Sequence, residues 1–276
     1  MEKEFKGKAI YNPSGRAKEY SYWACNFYTG CSNDCQYCYC KKSVMASTWS
    51  NSPKLKKCFR DETHALEVFK KELETNLPAL QKYGLFFSFT SDPMILEETA
   101  FLTFYAAKRC LNNDVPVKIL TKNADFLDRG FFKDYILNKE KAKKYFAFGF
   151  TLTGHDELEP HASTNAMRIN AMRSLHKAGF KTWASIEPVI DFESSKYMIS
   201  ESGGYCNLYK VGLQSGRRYE NEEIRKFIKF CTTTSCLPTH PLWYFKDSLL
   251  QQAGINRAGL PANCVGRDYN IWDAKK

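Results

Sequence analysis

The chain has 276 residues, of which 43% are hydrophobic and 15% aromatic, and a formal net charge of +10. This length suits one α/β barrel, and the hydrophobic content is enough for a sizeable core. No apolar run is long enough to cross a bilayer, and residues 1–20 lack the apolar stretch of a signal peptide. The composition therefore excludes a membrane-spanning protein and predicts a cytoplasmic one without a membrane partner.

The basic charge is compatible with two explanations. One is an acidic partner such as nucleic acid or a phosphorylated substrate, and the other is a set of lysine-rich helices that keep the protein soluble. The lysines are spread along the chain and form no long basic tail. Charge alone leaves both explanations open.

Short apolar runs alternate with helical patterns along most of the chain. The predicted strands cover 20–26, 85–89, 117–121, 146–151, 182–186 and 208–211. The predicted helices cover 63–77, 96–111, 126–138, 166–178 and 222–232. Near the end of the chain, a short strand over 242–245 and a helix over 247–253 are expected.

These elements make about six β–α units, which predict a parallel sheet under right-handed crossovers. The expected fold class is α/β, a partial (β/α)6-type parallel barrel with a short C-terminal extension. We expect an N-terminal segment over 1–19, the barrel core over 20–235 and the extension over 236–276.

Polar side chains follow the predicted strands, at the carboxyl ends where parallel α/β folds carry their chemistry. Ser91 and Asp92 follow the second strand, Lys122 the third and Glu187 the fifth, and Thr151 is the last residue of the fourth. Each has an ordinary alternative: Ser91 or Asp92 as a helix cap, Lys122 as a solvated lysine, Glu187 as the partner of a core arginine. Their joint placement indicates a common site.

The eleven cysteines argue against a disulfide framework, because the chain lacks an export signal. Cys31, Cys35 and Cys38 have the spacing C-x3-C-x2-C, which lets each thiolate bind one iron of a cubane cluster and leaves a fourth iron open. The alternative is structural zinc with Cys25 or Cys40 as the fourth ligand, in a non-catalytic nucleic-acid-binding protein.

Cys231, Cys236 and Cys264 raise a separate question, because a C-terminal extension with three cysteines is able to hold a second cluster. Their spacings match no metal motif, so we interpret them as buried structural cysteines.

The C-x3-C-x2-C motif with an aromatic residue before its third cysteine resembles the signature of the radical S-adenosylmethionine superfamily. Further segments resemble the spore-photoproduct-lyase-like branch of that superfamily, and the resemblance covers most of residues 9–250. These segments are Tyr11-Asn12-Pro13, Phe89-Thr90-Ser91-Asp92-Pro93, Leu120-Thr121-Lys122-Asn123, Leu158-Glu159-Pro160 with Arg168, and Ile186-Glu187-Pro188.

The resemblance implies a [4Fe–4S] cluster on the three cysteines and reductive cleavage of S-adenosylmethionine to a 5′-deoxyadenosyl radical. By the same resemblance, Ser91 and Asp92 receive the amino group of the cosubstrate and Lys122 its carboxylate. Thr151 contacts the ribose or the carboxylate, and Tyr37 and Tyr39 flank the adenine. A low-potential electron donor such as flavodoxin or ferredoxin is the implied partner.

The resemblance leaves the substrate open, with nucleic acid as one candidate and a peptide or small metabolite as others. In the lyase pattern, a cysteine two residues before the serine of the Ser-Asp pair donates the hydrogen atom. The matching residue here is Phe89, which has no transferable hydrogen of that kind. We therefore expect a radical enzyme that is not a true spore photoproduct lyase.

Overall fold

The computed structural model describes residues 4–42, 46–233 and 238–273, which fall into two compact units, Met1–Ala147 and Phe148–Lys276. Across these described residues, every helix is too short or too polar to traverse a lipid bilayer.

The first unit combines a small parallel sheet with helices. Its strands are β1 (Ile10–Tyr11), β2 (Ala24–Cys25), β3 (Tyr28–Thr29), β4 (Lys54–Leu55), β5 (Leu85–Phe87) and β6 (Val117–Thr121). Its helices are α1 (Glu62–Thr75), α2 (Leu77–Tyr83), α3 (Ala100–Asn112), α4 (Gly130–Phe132) and α5 (Glu140–Tyr145), with a π-helical turn over Lys133–Leu137. Short 3-10 helices cover Gly15–Glu19, Tyr39–Lys41 and Asp125–Asp128.

The sheet of this unit has the strand order β1-β2-β5-β6, in which β1 is antiparallel to β2 and the other neighbours are parallel. Strand β5 is Leu85-Phe86-Phe87, and all three side chains are fully or almost fully buried. Such a run of apolar residues is expected of a strand that is covered on both faces. Strands β3 and β4 form a separate antiparallel ribbon. Along the chain, β3 precedes and β4 follows the loop that carries Cys31, Cys35 and Cys38, here called the cysteine loop.

The N-terminal strand is held to the first unit by one carboxylate. Glu72 of α1 accepts hydrogen bonds from the backbone N–H groups of Lys8, Ala9 and Ile10 at 2.6, 3.0 and 2.7 Å. A short edge strand has few ladder bonds of its own, so these charge-assisted bonds supply much of its attachment.

The second unit repeats the β–α pattern. Its elements are β7 (Phe146–Thr151), whose first two residues belong to the first unit, α6 (Asn165–Lys177), β8 (Lys181–Val189), α7 (Phe192–Ser202), β9 (Leu208–Leu213), α8 (Asn221–Thr233), β10 (Leu242–Phe245) and α9 (Asp247–Ala253). The strands pair in the order β7-β8-β9-β10, and β8, β9 and β10 are parallel. Strand–helix alternation with mostly parallel strands in both units confirms the predicted fold class.

Several predicted elements are confirmed to the residue, while others differ for identifiable reasons. The predicted helix over 96–111 begins only at Ala100, because Glu97 has a φ of 64°, which is incompatible with an α-helix. The predicted strand over 20–26 is reduced to Ala24–Cys25, and the predicted helix over 126–138 is broken into 3-10, α and π turns. Helix α7 was not predicted; its N-cap Asp191 accepts a hydrogen bond from the Ser194 N–H.

Candidate functional site

The three cysteines of the motif lie on the loop that connects β3 to the 3-10 helix Tyr39–Lys41. Cys35 is buried, Cys31 and Cys38 are half-buried, and none of the three forms a disulfide bond. The loop departs from β3 at Gly30, whose φ is +87° and whose missing Cβ would lie 2.8 Å from the carbonyl oxygen of Ser50. Glycine is therefore required there for the backbone to turn into the loop.

The environment of the loop favours a thiolate at one of these positions. The hydrogen bond with Cys40 is the main cause that lowers the pKa of Cys38 to about 6. Burial raises the pKa of Cys31 to about 12, although the charge of Lys122 acts to lower it. Since metals bind the thiolate form, the loop presents a donor set of the kind that iron–sulfur clusters use.

Within the described part of the chain, no three His, Cys, Asp or Glu side chains converge on the position of a single metal ion. A cubane cluster places its thiolates on separate irons, so its ligands need not converge on one point. Three cysteines outside any disulfide on one loop are chemically suited to that cluster.

The carboxylate of Asp92 lies after β5 and is bonded by four donors. Its Oδ1 accepts from Thr121 Oγ1 at 2.7 Å and from the Met94 N–H at 2.9 Å. Its Oδ2 accepts from the Lys122 N–H at 2.8 Å and from Asn33 Nδ2 at 3.0 Å. A carboxylate offers about four acceptor positions, so the protein itself uses all of them.

These bonds join three segments of the first unit. Asn33 belongs to the cysteine loop, Asp92 follows β5, and Thr121 ends β6. Asn123 strengthens the connection, because its Nδ2 donates to Asn33 Oδ1 at 3.2 Å and its N–H donates to Thr121 Oγ1 at 2.9 Å. All four residues are buried. The network holds the cysteine loop against the carboxyl ends of two strands.

The side chains of four predicted residues lie beside this network. The Lys122 ammonium is 5.6 Å from the centre of the Tyr37 ring, within range of a cation–π interaction. The Tyr39 hydroxyl donates to the carbonyl oxygen of Phe89, and Ser91 is half-buried next to Asp92. The structure thus brings the cysteine loop, Ser91, Asp92 and Lys122 into one region of the first unit.

Phe89, the residue at the donor position of the lyase pattern, is packed against other aromatic rings. Its ring stacks on Phe86 with centroids 4.4 Å apart and meets Tyr20 edge-on at 6.0 Å. Its carbonyl oxygen also accepts a bond from Cys40 Sγ at 3.8 Å. The fold thus brings the Cys40 thiol to the backbone of Phe89, 49 residues away along the chain.

Thr151 ends β7 in the second unit and is buried. Its carbonyl oxygen accepts from Arg168 Nη1 at 2.8 Å, and Arg168 also forms a fully buried ion pair with Glu159 at 2.5 Å. The ion pair fixes the backbone at this strand end. The role that the resemblance gives to Thr151 stays a prediction.

Two acid–base residues that the sequence did not single out meet at the carboxyl ends of β7 and β8. His155 Nε2 is 2.6 Å from Asp191 Oδ2, and His155 Nδ1 is 2.7 Å from Glu157 Oε1. Burial acts to lower the pKa of His155, but the bonds to both carboxylates raise it overall. The pKa of Asp191 is lowered, since the bonds from Ser194 and His155 outweigh its burial. The one feature of the sequence that could have indicated His155 and Asp191 as site residues is that each follows a predicted strand.

Two other expectations concern residues of the second unit. Glu187 pairs with Lys246 at 2.9 Å rather than with an arginine. Cys231 is buried and Cys264 half-buried, whereas Cys236 lies outside the described residues. The second cluster therefore stays untested.

Comparison with known proteins places these features in a family. The model of the radical SAM superfamily matches residues 25–194. An uncharacterized protein of Methanocaldococcus jannaschii is 26% identical over 211 residues, which are 71% of this chain and 73% of that protein.

Two solved structures share the fold. Spore photoproduct lyase, as a double mutant with AdoMet and dinucleoside spore photoproduct, matches with a TM-score of 0.50 and 16% identity over 81% of this chain and 64% of that one. SuiB of Streptococcus suis bound to S-adenosylmethionine matches with a TM-score of 0.52 and 11% identity over 81% of this chain and 51% of that one. The chain thus spans less than two thirds of either solved protein.

We expect Asp92→Asn to lower the free energy of unfolding by about 2 kcal/mol or more. The variant replaces one acceptor oxygen of the buried carboxylate by an NH₂ group, so the donors that bond this oxygen would lose their acceptor. Urea unfolding measures this free energy, with the exposed Asp134→Asn as the matched control. An Asp92→Asn variant as stable as the control would show that the network contributes little.

We expect the stabilisation from the His155 cluster to depend on pH. The folded state raises the pKa of His155 above its ordinary value of 6.5, so this contribution is complete below that value and is lost as pH rises through the raised pKa. His155→Gln should therefore lower the unfolding midpoint most near about pH 6 and least near about pH 9. The exposed His161→Gln should show no such trend, and a pH-independent difference for His155→Gln would contradict the assignment.

Proposed function

Because this chain belongs to the radical S-adenosylmethionine superfamily, whose enzymes use a [4Fe–4S] cluster and S-adenosylmethionine, we propose that Cys31, Cys35 and Cys38 hold the cluster. The observation that carries the proposal is that three cysteines outside any disulfide share one loop, which the Asp92 network joins to the strand ends. When bound, the cluster and its cosubstrate supply a 5′-deoxyadenosyl radical.

The residues around the loop have separate tasks in this proposal. Lys122 binds the carboxylate of the cosubstrate, and Ser91 bonds its amino group. Asp92 contributes a negative charge near that ammonium, while its oxygen atoms keep the loops in place. A zwitterion needs such a pair of opposite charges, and opposite charges at short range are strengthened where water is partly excluded. Tyr37 and Tyr39 flank the adenine.

The substrate class that we propose is nucleic acid or a nucleotide. The net charge of +10 suits a polyanion. A structure with the same fold, spore photoproduct lyase, was solved with a dinucleoside photoproduct. At 16% identity that likeness supports the fold alone. The argument for a nucleic-acid or nucleotide substrate therefore rests on the positive net charge of this chain.

The partner that we propose is a low-potential electron donor such as flavodoxin or ferredoxin, which the cleavage of S-adenosylmethionine requires. The described cysteines other than those of the loop are also free thiols. Free thiols persist in a reducing compartment, which supports the cytoplasm as the place of action.

We expect Cys35→Ala to abolish the broad absorption near about 400 nm that a cysteine-ligated cluster gives after anaerobic purification. Iron and sulfide analysis and formation of 5′-deoxyadenosine after reduction provide the quantitative test. Cys58→Ala, which removes a half-buried thiol outside the loop, should keep the iron. Full iron retention in the triple Cys31, Cys35 and Cys38 variant would exclude the proposed ligands.

We expect Lys122→Ala to weaken S-adenosylmethionine binding about tenfold or more, since a hydrogen bond to a charged group contributes about 1.5–3 kcal/mol. Its iron content should equal that of the wild type, because Lys122 is not a ligand. Lys133→Ala, on the exposed turn after α4, is the control. Unchanged affinity in Lys122→Ala would remove that lysine from the cosubstrate site.

We propose that the enzyme does not repair spore photoproduct, because Phe89 stands at the donor position. Reduced enzyme, S-adenosylmethionine and a dinucleotide spore photoproduct should give no sustained recovery of thymine, although 5′-deoxyadenosine forms. Repeated turnover to the repaired dinucleotide would contradict this. Cys40→Ala would then show whether the buried thiol at the Phe89 carbonyl supplies the hydrogen.

A further inference from the structure

Large exposed aromatic side chains are concentrated on one surface of the first unit. Phe101 and Tyr105 of α3 are 52% and 38% exposed, and Tyr135 of the π-helical turn is 50% exposed. The buried ring of Phe104 lies between them, with its centre 5.3 Å from that of Tyr105 and 6.0 Å from that of Tyr135. The half-buried ring of Phe131 is 6.1 Å from that of Phe101. We name Phe101, Tyr105, Phe131 and Tyr135 the aromatic face. Contiguous exposed rings of this kind indicate an interaction surface.

The start of α3 is fixed beside the cysteine loop. Glu98 Oε2 accepts a hydrogen bond from Ser32 Oγ at 2.7 Å, and Thr99 Oγ1 donates to the carbonyl oxygen of Asp92 at 2.7 Å. Phe101 lies in the first turn of the helix that follows, and the whole helix is about 20 Å long. A ligand that lies along α3 therefore leads from the far end of the helix to the cysteine loop.

The part of the chain that forms this surface is strongly basic. Residues 100–145 contain ten lysine or arginine residues and five acidic ones, so a sixth of the chain carries half of its net charge of +10. Eight of the ten lie in α3 or between 129 and 145: Lys108, Arg109, Arg129, Lys133, Lys139, Lys141, Lys143 and Lys144. The surface is therefore complementary in charge to an anionic partner.

Lysines and aromatic rings lie side by side on this surface. Lys108 Nζ of α3 is 4.2 Å from the centre of the Tyr135 ring. An ion pair of 2.9 Å between Lys141 and Asp114 joins α5 to the chain just after α3. The lysines of α5 thus extend the positive charge beyond the aromatic face.

We propose that the aromatic face and the lysines beside it bind single-stranded nucleic acid next to the nucleotide that reacts, a proposal that rests on the substrate class proposed above. Proteins bind single strands with a positively charged surface, which follows the phosphates, and with aromatic rings on which the bases stack. In a duplex the faces of the bases are already stacked on one another. A carboxylate-rich protein surface would match the lysines but would leave the apolar rings facing charge, whereas a nucleic acid supplies both phosphates and flat bases.

The first test measures stacking, with the anaerobically purified holoenzyme and a fluorescein-labelled oligothymidylate of about 12 nucleotides followed by anisotropy. Tyr135→Leu should weaken binding about fivefold or more, because a ring on which a base stacks is lost. Tyr135→Trp keeps a ring and should retain the affinity. Tyr197→Leu, which removes a 61% exposed ring of α7, is the control. Wild-type affinity in both Tyr135→Leu and Phe101→Leu would overturn the proposal.

The second test measures charge through the salt dependence of the same binding. Lys108→Gln should weaken binding and reduce the slope of log affinity against log salt by about 0.7, because one phosphate contact is lost. Lys108→Arg keeps the charge and the contact with the Tyr135 ring, so it should retain both quantities. Lys226→Gln, which removes an exposed lysine of α8, should change neither by as much. A wild-type slope in Lys108→Gln would count against the proposal.

Two further results would identify a different occupant. Equal affinity for the same oligothymidylate annealed to oligoadenylate would overturn the assignment to single strands. Variants that bind oligothymidylate as the wild type does, but accept electrons more slowly from reduced flavodoxin, would show that the aromatic face docks the electron donor. That result would also overturn the proposal.

Failure of this inference is distinguishable from failure of the proposed function, because the binding tests need neither reduction nor S-adenosylmethionine. A wild-type protein that binds oligothymidylate through the aromatic face but forms no 5′-deoxyadenosine would contradict the proposed function and support the inference. A wild-type protein that forms 5′-deoxyadenosine, while the variants of the aromatic face bind normally, would contradict the inference alone.

Discussion

The buried carboxylate of Asp92 is the interaction on which the arrangement of the first unit's polar edge depends. It joins the cysteine loop through Asn33 to the ends of β5 and β6. A buried carboxylate without hydrogen-bond donors would carry a large desolvation cost. Separating the three segments would remove several of the bonds to Asp92 at once and would therefore raise the free energy of the protein. Polar bonds, rather than apolar packing, thus define where the cysteines lie relative to Lys122.

Sequence patterns were sufficient where an apolar run is bounded by clear turn residues. The strands Val117–Thr121, Phe146–Thr151 and Leu242–Phe245 and the helix Asp247–Ala253 match their predictions residue by residue. The patterns were insufficient where tertiary bonds decide. Thr99, for example, donates to the Asp92 carbonyl oxygen and so takes part in the turn that delays α3.

The candidate site was predictable to a similar degree. The spacing of the cysteines placed them on one loop, and strand ends indicated Asp92 and Lys122. The His155–Asp191 contact joins residues 36 positions apart and depends on how two loops approach, which no local pattern encodes. A core arginine was one alternative partner for Glu187, whereas its observed partner Lys246 becomes evident only from the register of β8, β9 and β10.

The backbone around Phe89 has an evolutionary consequence. Its N–H donates to Asn26 Oδ1, and its carbonyl oxygen accepts from Tyr39 and Cys40, so none of these bonds involves its side chain. These backbone bonds therefore do not depend on which residue stands there, although the side chain also packs against the rings of Phe86 and Tyr20. A single substitution of phenylalanine by cysteine at this position would introduce a thiol that can donate a hydrogen atom to a product radical. The backbone bonds that hold the loop would stay in place, so related enzymes could differ in this donor without a change in fold.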